Sequence, residues 1–231
     1  MKQSTLISVL LVAVLAVGAL IYSRRDKIGV PAAKGASLAL IIDNSTSQTV
    51  DCGEVAALAG SGLDNLTIGK SSRLLVYTLG TEANAYEPTP QLNIPIDRGF
   101  AGKRKAVHQV EKVCSSFGAV DSSSIFRAVE VVLDQLQTNG LNGNKLILES
   151  DLGENVDRRL FRRHKKNAAL LDNSGISTLI CGVAMTDEAG GPRGARADAL
   201  EKTWRAAFAA PDQLSIEPFC AGQGASETAS R

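Results

Sequence analysis

From residue 36 onward, short apolar runs alternate with amphipathic stretches. Ser37–Ile42 (SLALII) is apolar almost throughout and ends at Asp43, the pattern of a strand covered on both faces. Arg73–Leu79 (RLLVYTL), Lys145–Ser150 (KLILES) and Ile176–Met185 (ISTLICGVAM) read the same way, and Leu214–Phe219 forms a last strand. Helical patterns fall between them. Val50–Leu58 is rich in alanine and valine. Lys103–Phe117 carries Val107, Val110 and Val113 on one side. Ser124–Leu136 (SIFRAVEVVLDQL) is strongly amphipathic. Glu154–Leu171 is helical and very basic, and Ala197–Ala209 is a helix stopped before Pro211. Glu82–Gly99 holds proline-containing turns around Gln91–Ile96, which suits an edge strand or a loop. Asn139–Gly143 (NGLNG) is a turn, and Thr186–Ala195 is a glycine-rich loop.

Strands alternating with helices predict an α/β fold, doubly wound, with a mostly parallel central sheet flanked by helices on both faces. The domain is expected over residues 36–220, after a linker at 24–35 and before a disordered tail at 221–231. Residues 1–23 stand apart. Thr5–Tyr22 is a run of 18 residues without charge, at the lower limit for crossing a bilayer as a helix. Lys2 precedes it, and Arg24, Arg25 and Lys27 follow. A single-pass anchor is the expectation, with a cleaved signal peptide as the alternative. The flanking positive charges favour a cytoplasmic domain, whereas four cysteines favour an exported one, periplasmic or extracellular. Export is the working expectation, and the other orientation stays open.

Composition narrows the partners. Net charge is +1 and aromatics make up 4% of the chain, so neither nucleic acid nor a stacking platform for bases is expected. The densest charge run, Arg158–Lys166 (RRLFRRHKK), reads as a solvated helix face, with a lipid-facing surface and nucleic acid as the rivals. Cys52, Cys114, Cys181 and Cys220 allow two disulfides in three connectivities, or four reduced, buried thiols. Their spacing does not suit zinc.

In open α/β sheets, ligands bind beyond the carboxyl ends of the strands. Two of the strands end in aspartate: Asp43-Asn44-Ser45-Thr46-Ser47 after the first, Ser150-Asp151 after the third. Between them, Asp121-Ser122-Ser123-Ser124 opens a helix. Carboxylates and hydroxyls are hard donors suited to Mg²⁺, Mn²⁺ or Ca²⁺. The plainer alternative is helix capping by Asp43, Ser45 or Ser47, by Asp151 and by Ser123.

The set as a whole resembles the von Willebrand factor A family. LALIIDNSTSQ resembles that family's first strand and metal loop, SSSIFRAV its threonine loop and following helix, and LILESD its strand ending in Thr-Asp-Gly. CGVAM and the Trp204 helix resemble later elements, so the likeness covers roughly residues 36–219. The resemblance implies a metal-ion-dependent adhesion site at Asp43, Ser45, Ser47, Ser123 and Asp151. There a divalent cation, Mg²⁺ or else Mn²⁺ or Ca²⁺, is completed by an Asp or Glu carboxylate from a protein partner. Serine at 123 replaces the family's threonine, with Ser122 one step away, and Leu152 stands where glycine usually follows the aspartate. The expectation is a membrane-anchored, metal-dependent protein-binding module and not an enzyme. A Mg²⁺-dependent hydrolase and a metal-free structural domain are the alternatives. His108 and His164 have no nucleophile placed beside them in sequence, and Trp204 and Phe208 read as core.

Overall fold

A computed structural model describes residues 35–45, 50–79, 90–119, 124–150, 152, 171–182, 195–217 and 220. Among the described residues there are six strands: β1 (Ser37–Ile42), β2 (Arg73–Thr78), β3 (Leu92–Pro95), β4 (Lys145–Glu149), β5 (Ser177–Cys181) and β6 (Leu214–Glu217). Four α-helices accompany them among the described residues: α1 (Cys52–Asp64), α2 (Phe100–Cys114), α3 (Ile125–Thr138) and α4 (Ala195–Ala207). The strand order is β3-β2-β1-β4-β5-β6, parallel throughout except for β3.

β1 lies at the centre and is buried along its whole length, which explains why its sequence lacks polar alternation. Its side chains divide between two cores. Leu38, Leu40 and Ile42 pack with Val55, Leu58 and Leu63 of α1 and Ala106 and Val110 of α2. Ala39 and Ile41 pack with Ile125, Val129 and Leu133 of α3 and Trp204 of α4. Trp204 is fully buried, and its ring lies 6.0 Å from that of Phe126 and 6.4 Å from that of Phe208. At the opposite end of the sheet from the expected site, buried Asn144 holds the register. It accepts from the Ser37 N–H at 2.8 Å and donates to the Leu136 carbonyl at 2.7 Å.

Several boundaries differ from the sequence expectation. α1 begins at Cys52 and continues through Gly60 and Gly62 to Asp64. Glycine is a poor helix former, but here it permits close approach. A Cβ on Gly62 would stand 2.8 Å from Leu38 Cδ2 and 2.9 Å from Ile147 Cδ1, so α1 rests directly on the sheet. α2 starts at Phe100, earlier than the periodicity suggested, after Gly99 at φ +85°. The Pro95 segment is an antiparallel edge strand, where a missing N–H does no harm. Leu171, expected at the end of the basic helix, instead forms an isolated parallel bridge to Phe208. Residues 154–170, where the basic helix was expected, with the run 158–166, residues 186–194 of the expected loop and the tail 221–231 lie outside the described residues, and Ala195, expected to end that loop, begins α4. So does the 5–22 segment, and no helix among the described residues is long and apolar enough to cross a membrane.

All four cysteines are oxidised, which sets aside the reduced reading. Cys52–Cys114 joins the start of α1 to the end of α2, with Cα atoms 5.6 Å apart. Cys181–Cys220 ties the end of β5 to the segment after β6, at 4.9 Å.

Candidate metal centre

The strand order reverses direction at β1, whose neighbours are β2 and β4. The crevice beyond the ends of β1 and β4 is therefore the switch point, where open α/β sheets place ligands. Ile42 pairs with Glu149, so Asp43 and Ser150 emerge side by side. The ladder continues one step past the strands: the Asp43 N–H donates to the Glu149 carbonyl at 2.9 Å.

Asp43 is only 1% exposed, and its carboxylate is held from two directions. Oδ1 accepts the Ser45 N–H at 3.1 Å, and Oδ2 accepts the Ser150 hydroxyl at 2.7 Å. Ser150 is itself clamped. Its N–H donates to the Cys181 carbonyl at 3.0 Å, and its Oγ accepts the Leu152 N–H at 3.0 Å. A buried carboxylate requires such partners, and these also fix its orientation. Asn44 ties the same loop elsewhere: its Nδ2 donates to the Gly118 carbonyl, just upstream of the serine run 122–124. The Cys52–Cys114 disulfide links the same two regions a few residues away.

Of the expected ligands, Asp43 and Ser45 are placed together at this point, both buried. Ser47, Ser123 with its neighbour Ser122, and Asp151 lie outside the described residues. The flanks of two of them are placed. Ser150 and Leu152 bracket Asp151, and buried Ser124 follows Ser123 at the N-terminal boundary of α3. The capping alternative for Asp43 and Ser45 does not hold. Asp51 caps α1, accepting from Gly53 N at 2.8 Å and Glu54 N at 3.3 Å, and Asp43 spends its carboxylate on the loop. Leu152 has φ +61°, the left-handed conformation that glycine adopts freely. The departure from glycine after the aspartate thus keeps a glycine-like backbone. The strain is about 1–2 kcal/mol, comparable to what burying a leucine side chain returns.

Two residues gained weight only in three dimensions. Ser150 orients Asp43, as above. Glu149, which the strand pattern marked only as the end of an apolar run, is 8% exposed, and its Oε2 has no hydrogen-bond partner. Burial first, then the carboxylates of Glu54, Asp43 and Asp51, push its pKa up to about 7. Asn44 Oδ1 is also buried and unpartnered. The available signal was that β4 is buried on both faces, so an acid within it cannot reach water. Among the described residues, no three His, Cys, Asp or Glu side chains gather closely enough to hold an ion between them. The donor set nonetheless fits a hard cation: it is all oxygen, net acidic, and leaves two buried acceptors unsatisfied. His108 lies on α2 and is exposed, 3.6 Å from Glu111, in no position to serve a buried nucleophile.

This architecture is a von Willebrand factor A-type fold. No family model and no curated protein matches the chain by sequence. Among solved structures, it is similar to BatB from Bacteroides thetaiotaomicron, at 12% identity and a TM-score of 0.50, over 82% of this chain and 93% of that one. An aerotolerance-related membrane protein from Bacteroides fragilis NCTC 9343 matches at 13% identity and a TM-score of 0.48, over 84% and 96%. The manganese-loaded TRAP protein of Plasmodium vivax matches at 13% identity and a TM-score of 0.44, over 81% and 70%.

Proposed function

We propose that the chain is a membrane-tethered module that binds a protein partner through a divalent cation held at the β1–β4 crevice. One observation carries this reading: Asp43 and Ser150, far apart in sequence, are buried together at the switch point, with the Ser45 N–H on the same carboxylate. In this reading Asp43, Ser45, Ser47, Ser123 and Asp151 hold the ion, with Ser122 as the alternative hydroxyl. Mg²⁺ suits these donors best, and Mn²⁺ or Ca²⁺ share their chemistry. The bound ion supplies an electrophilic position for an Asp or Glu carboxylate of the partner. The chain's own residues do the rest. Ser150 and the Ser45 N–H hold Asp43 in one orientation, and Asn44 fixes the loop against the segment after α2.

The role is binding rather than catalysis. Tethering rests on the uncharged 5–22 run, and export is supported by the two disulfides, which persist in oxidising compartments. The test is capture of partners by the purified chain in Mg²⁺ and in EDTA, beside calorimetric titration with Mg²⁺, Mn²⁺ and Ca²⁺. The expected result is an ion bound by the wild type, partner capture lost in EDTA, and both lost in Asp43→Ala. Capture that survives EDTA and Asp43→Ala unchanged would overturn metal-mediated contact.

A further inference from the structure

The end of the sheet opposite Asp43 carries a surface that the cation centre does not use. Ser37 pairs with Arg73 and Arg73 with Pro95, so the starts of β1 and β2 and the end of β3 meet there. From Pro95 the chain turns into α2 at Phe100, which is 80% exposed, the one large apolar side chain so exposed among the described residues. A single exposed apolar residue is ordinary. This one stands among cations. Over residues 64–73 and 97–105, Lys70, Arg73, Arg98, Lys103, Arg104 and Lys105 stand against Asp64 and Asp97, in a chain whose net charge is +1. Asp64 is paired with Lys103 at 3.2 Å, and the other five cations are exposed. Arg104 lies one turn beyond Phe100 on the same side of the helix, with Lys105 beside it. Helix stability does not account for them, because α2 has no acid in its first turn, where the dipole favours one. The turn into the helix is packed. A Cβ on Gly102 would collide with the Asp97 carbonyl, and the Lys103 N–H donates to the Gly99 carbonyl at 3.2 Å. Phe100 is thus held outward by fixed backbone.

We propose that this corner docks the domain on an anionic lipid surface, with Phe100 entering the headgroup region and Arg98, Arg104 and Lys105 meeting lipid phosphates. Interfacial binding of this kind combines buried apolar area with attraction to anionic lipid. The point where the chain enters the domain favours a bilayer over another acidic partner. The described residues begin at Gly35, two residues before β1, so the preceding chain joins the domain at this same end of the sheet. Residues 23–34 link that point to the uncharged run 5–22 and span about 40 Å at most. The Asp43 crevice, at the other end of the sheet, then faces away from the lipid and stays open to a partner. The inference rests on the tethered reading above and not on a bound cation.

The full chain reconstituted in vesicles tests it. Its only tryptophan, Trp204, is buried, so Phe100→Trp places a reporter indole at position 100 above a fixed background. The vesicles are phosphatidylcholine alone or mixed with phosphatidylglycerol, each with brominated acyl chains as quencher. The expected result is a blue-shifted, quenched indole in the anionic vesicles, water-exposed emission in the neutral ones, and loss of quenching in high salt. Adding Arg98→Gln, Arg104→Gln and Lys105→Gln should lower the ratio of docked to free domain about fivefold for each cation, about a hundredfold together. All four positions are exposed, so the fold is kept. An indole that stays in water on anionic vesicles overturns the proposal and leaves an acidic macromolecule as the occupant of the patch. Equal quenching in both lipids, or quenching unchanged by the three glutamines, overturns it as well. The tether is scored separately, by retention of the chain on neutral vesicles through an alkaline carbonate wash. Its loss there overturns the tethered reading alone, and quenching on anionic vesicles still decides the docking.

Discussion

The hydrogen bond between Ser150 and Asp43 invites the sharpest test, because it joins two strand ends and should be expensive to remove. Ser150→Ala deletes the hydroxyl that donates to Asp43 Oδ2 at 2.7 Å and accepts from the Leu152 N–H at 3.0 Å. A hydrogen bond to a buried charged group contributes about 1.5–3 kcal/mol. The stranded Leu152 N–H adds about 1–2 kcal/mol, since Ser150 is fully buried and water cannot easily replace it. The expected loss is about 3–4 kcal/mol in metal-free protein. For a domain of this size that lowers the melting temperature by roughly 10 °C. Urea denaturation in EDTA measures it. Ser150→Thr keeps both hydrogen bonds and should lose less, limited to crowding by one methyl group. The double variant with Asp43→Ala separates the bond from general damage, because the second change should cost much less once the first is made. If Ser150→Ala loses under 1 kcal/mol, or if the two substitutions add independently, the two side chains do not hold one another and the clamp described here is wrong.

Further predictions concern the core and the loops around the centre. Glu149 has a native pKa near 7 against about 4.5 unfolded, so the native state holds its proton more tightly. Its contribution to the stability of the metal-free chain is therefore fully present below about pH 4.5 and lost as pH rises through 7. The span is up to about 3 kcal/mol, and comparing the pH dependence of wild-type and Glu149→Gln melting measures it. Gly62→Val should cost about 1–3 kcal/mol in urea unfolding, because the added side chain meets Leu38 and Ile147 below α1. Thiol titration of the denatured, unreduced chain should find no free cysteine. Replacing Cys181 and Cys220 together by serine should lower stability by about 2–4 kcal/mol, and retention of full stability would argue that this link constrains little.

Much of the fold was legible in the chain because the relevant signals are local. An apolar run such as Ser37–Ile42 announces a strand covered on both faces, and Ser124–Leu136 announces a helix with one buried side, whatever lies next to them. The alternation of the two then restricts the fold to a few parallel topologies. Motif spacing located the β1 loop, and the structure places Asp43 and Ser45 together there, next to the end of β4. Local signals set the first helix at Val50–Leu58, whereas α1 runs from Cys52 through Gly60 and Gly62 to Asp64, because close packing of Gly62 on Leu38 and Ile147 outweighs poor propensity.

What only the tertiary structure decided are relations between distant residues. Residues 43 and 150 become neighbours because β4 pairs beside β1, and that depends on how every crossover packs. The choice among three disulfide connectivities was settled the same way, by which helix and strand ends meet. Glu149 is the clearest case. Within its own strand it is one acid after four residues of ordinary strand pattern. Its significance comes from the lack of water around it and from Asp43, Asp51 and Glu54, brought close by folding. Periodicity is a property of neighbours along the chain, whereas desolvation and charge proximity belong to neighbours in space.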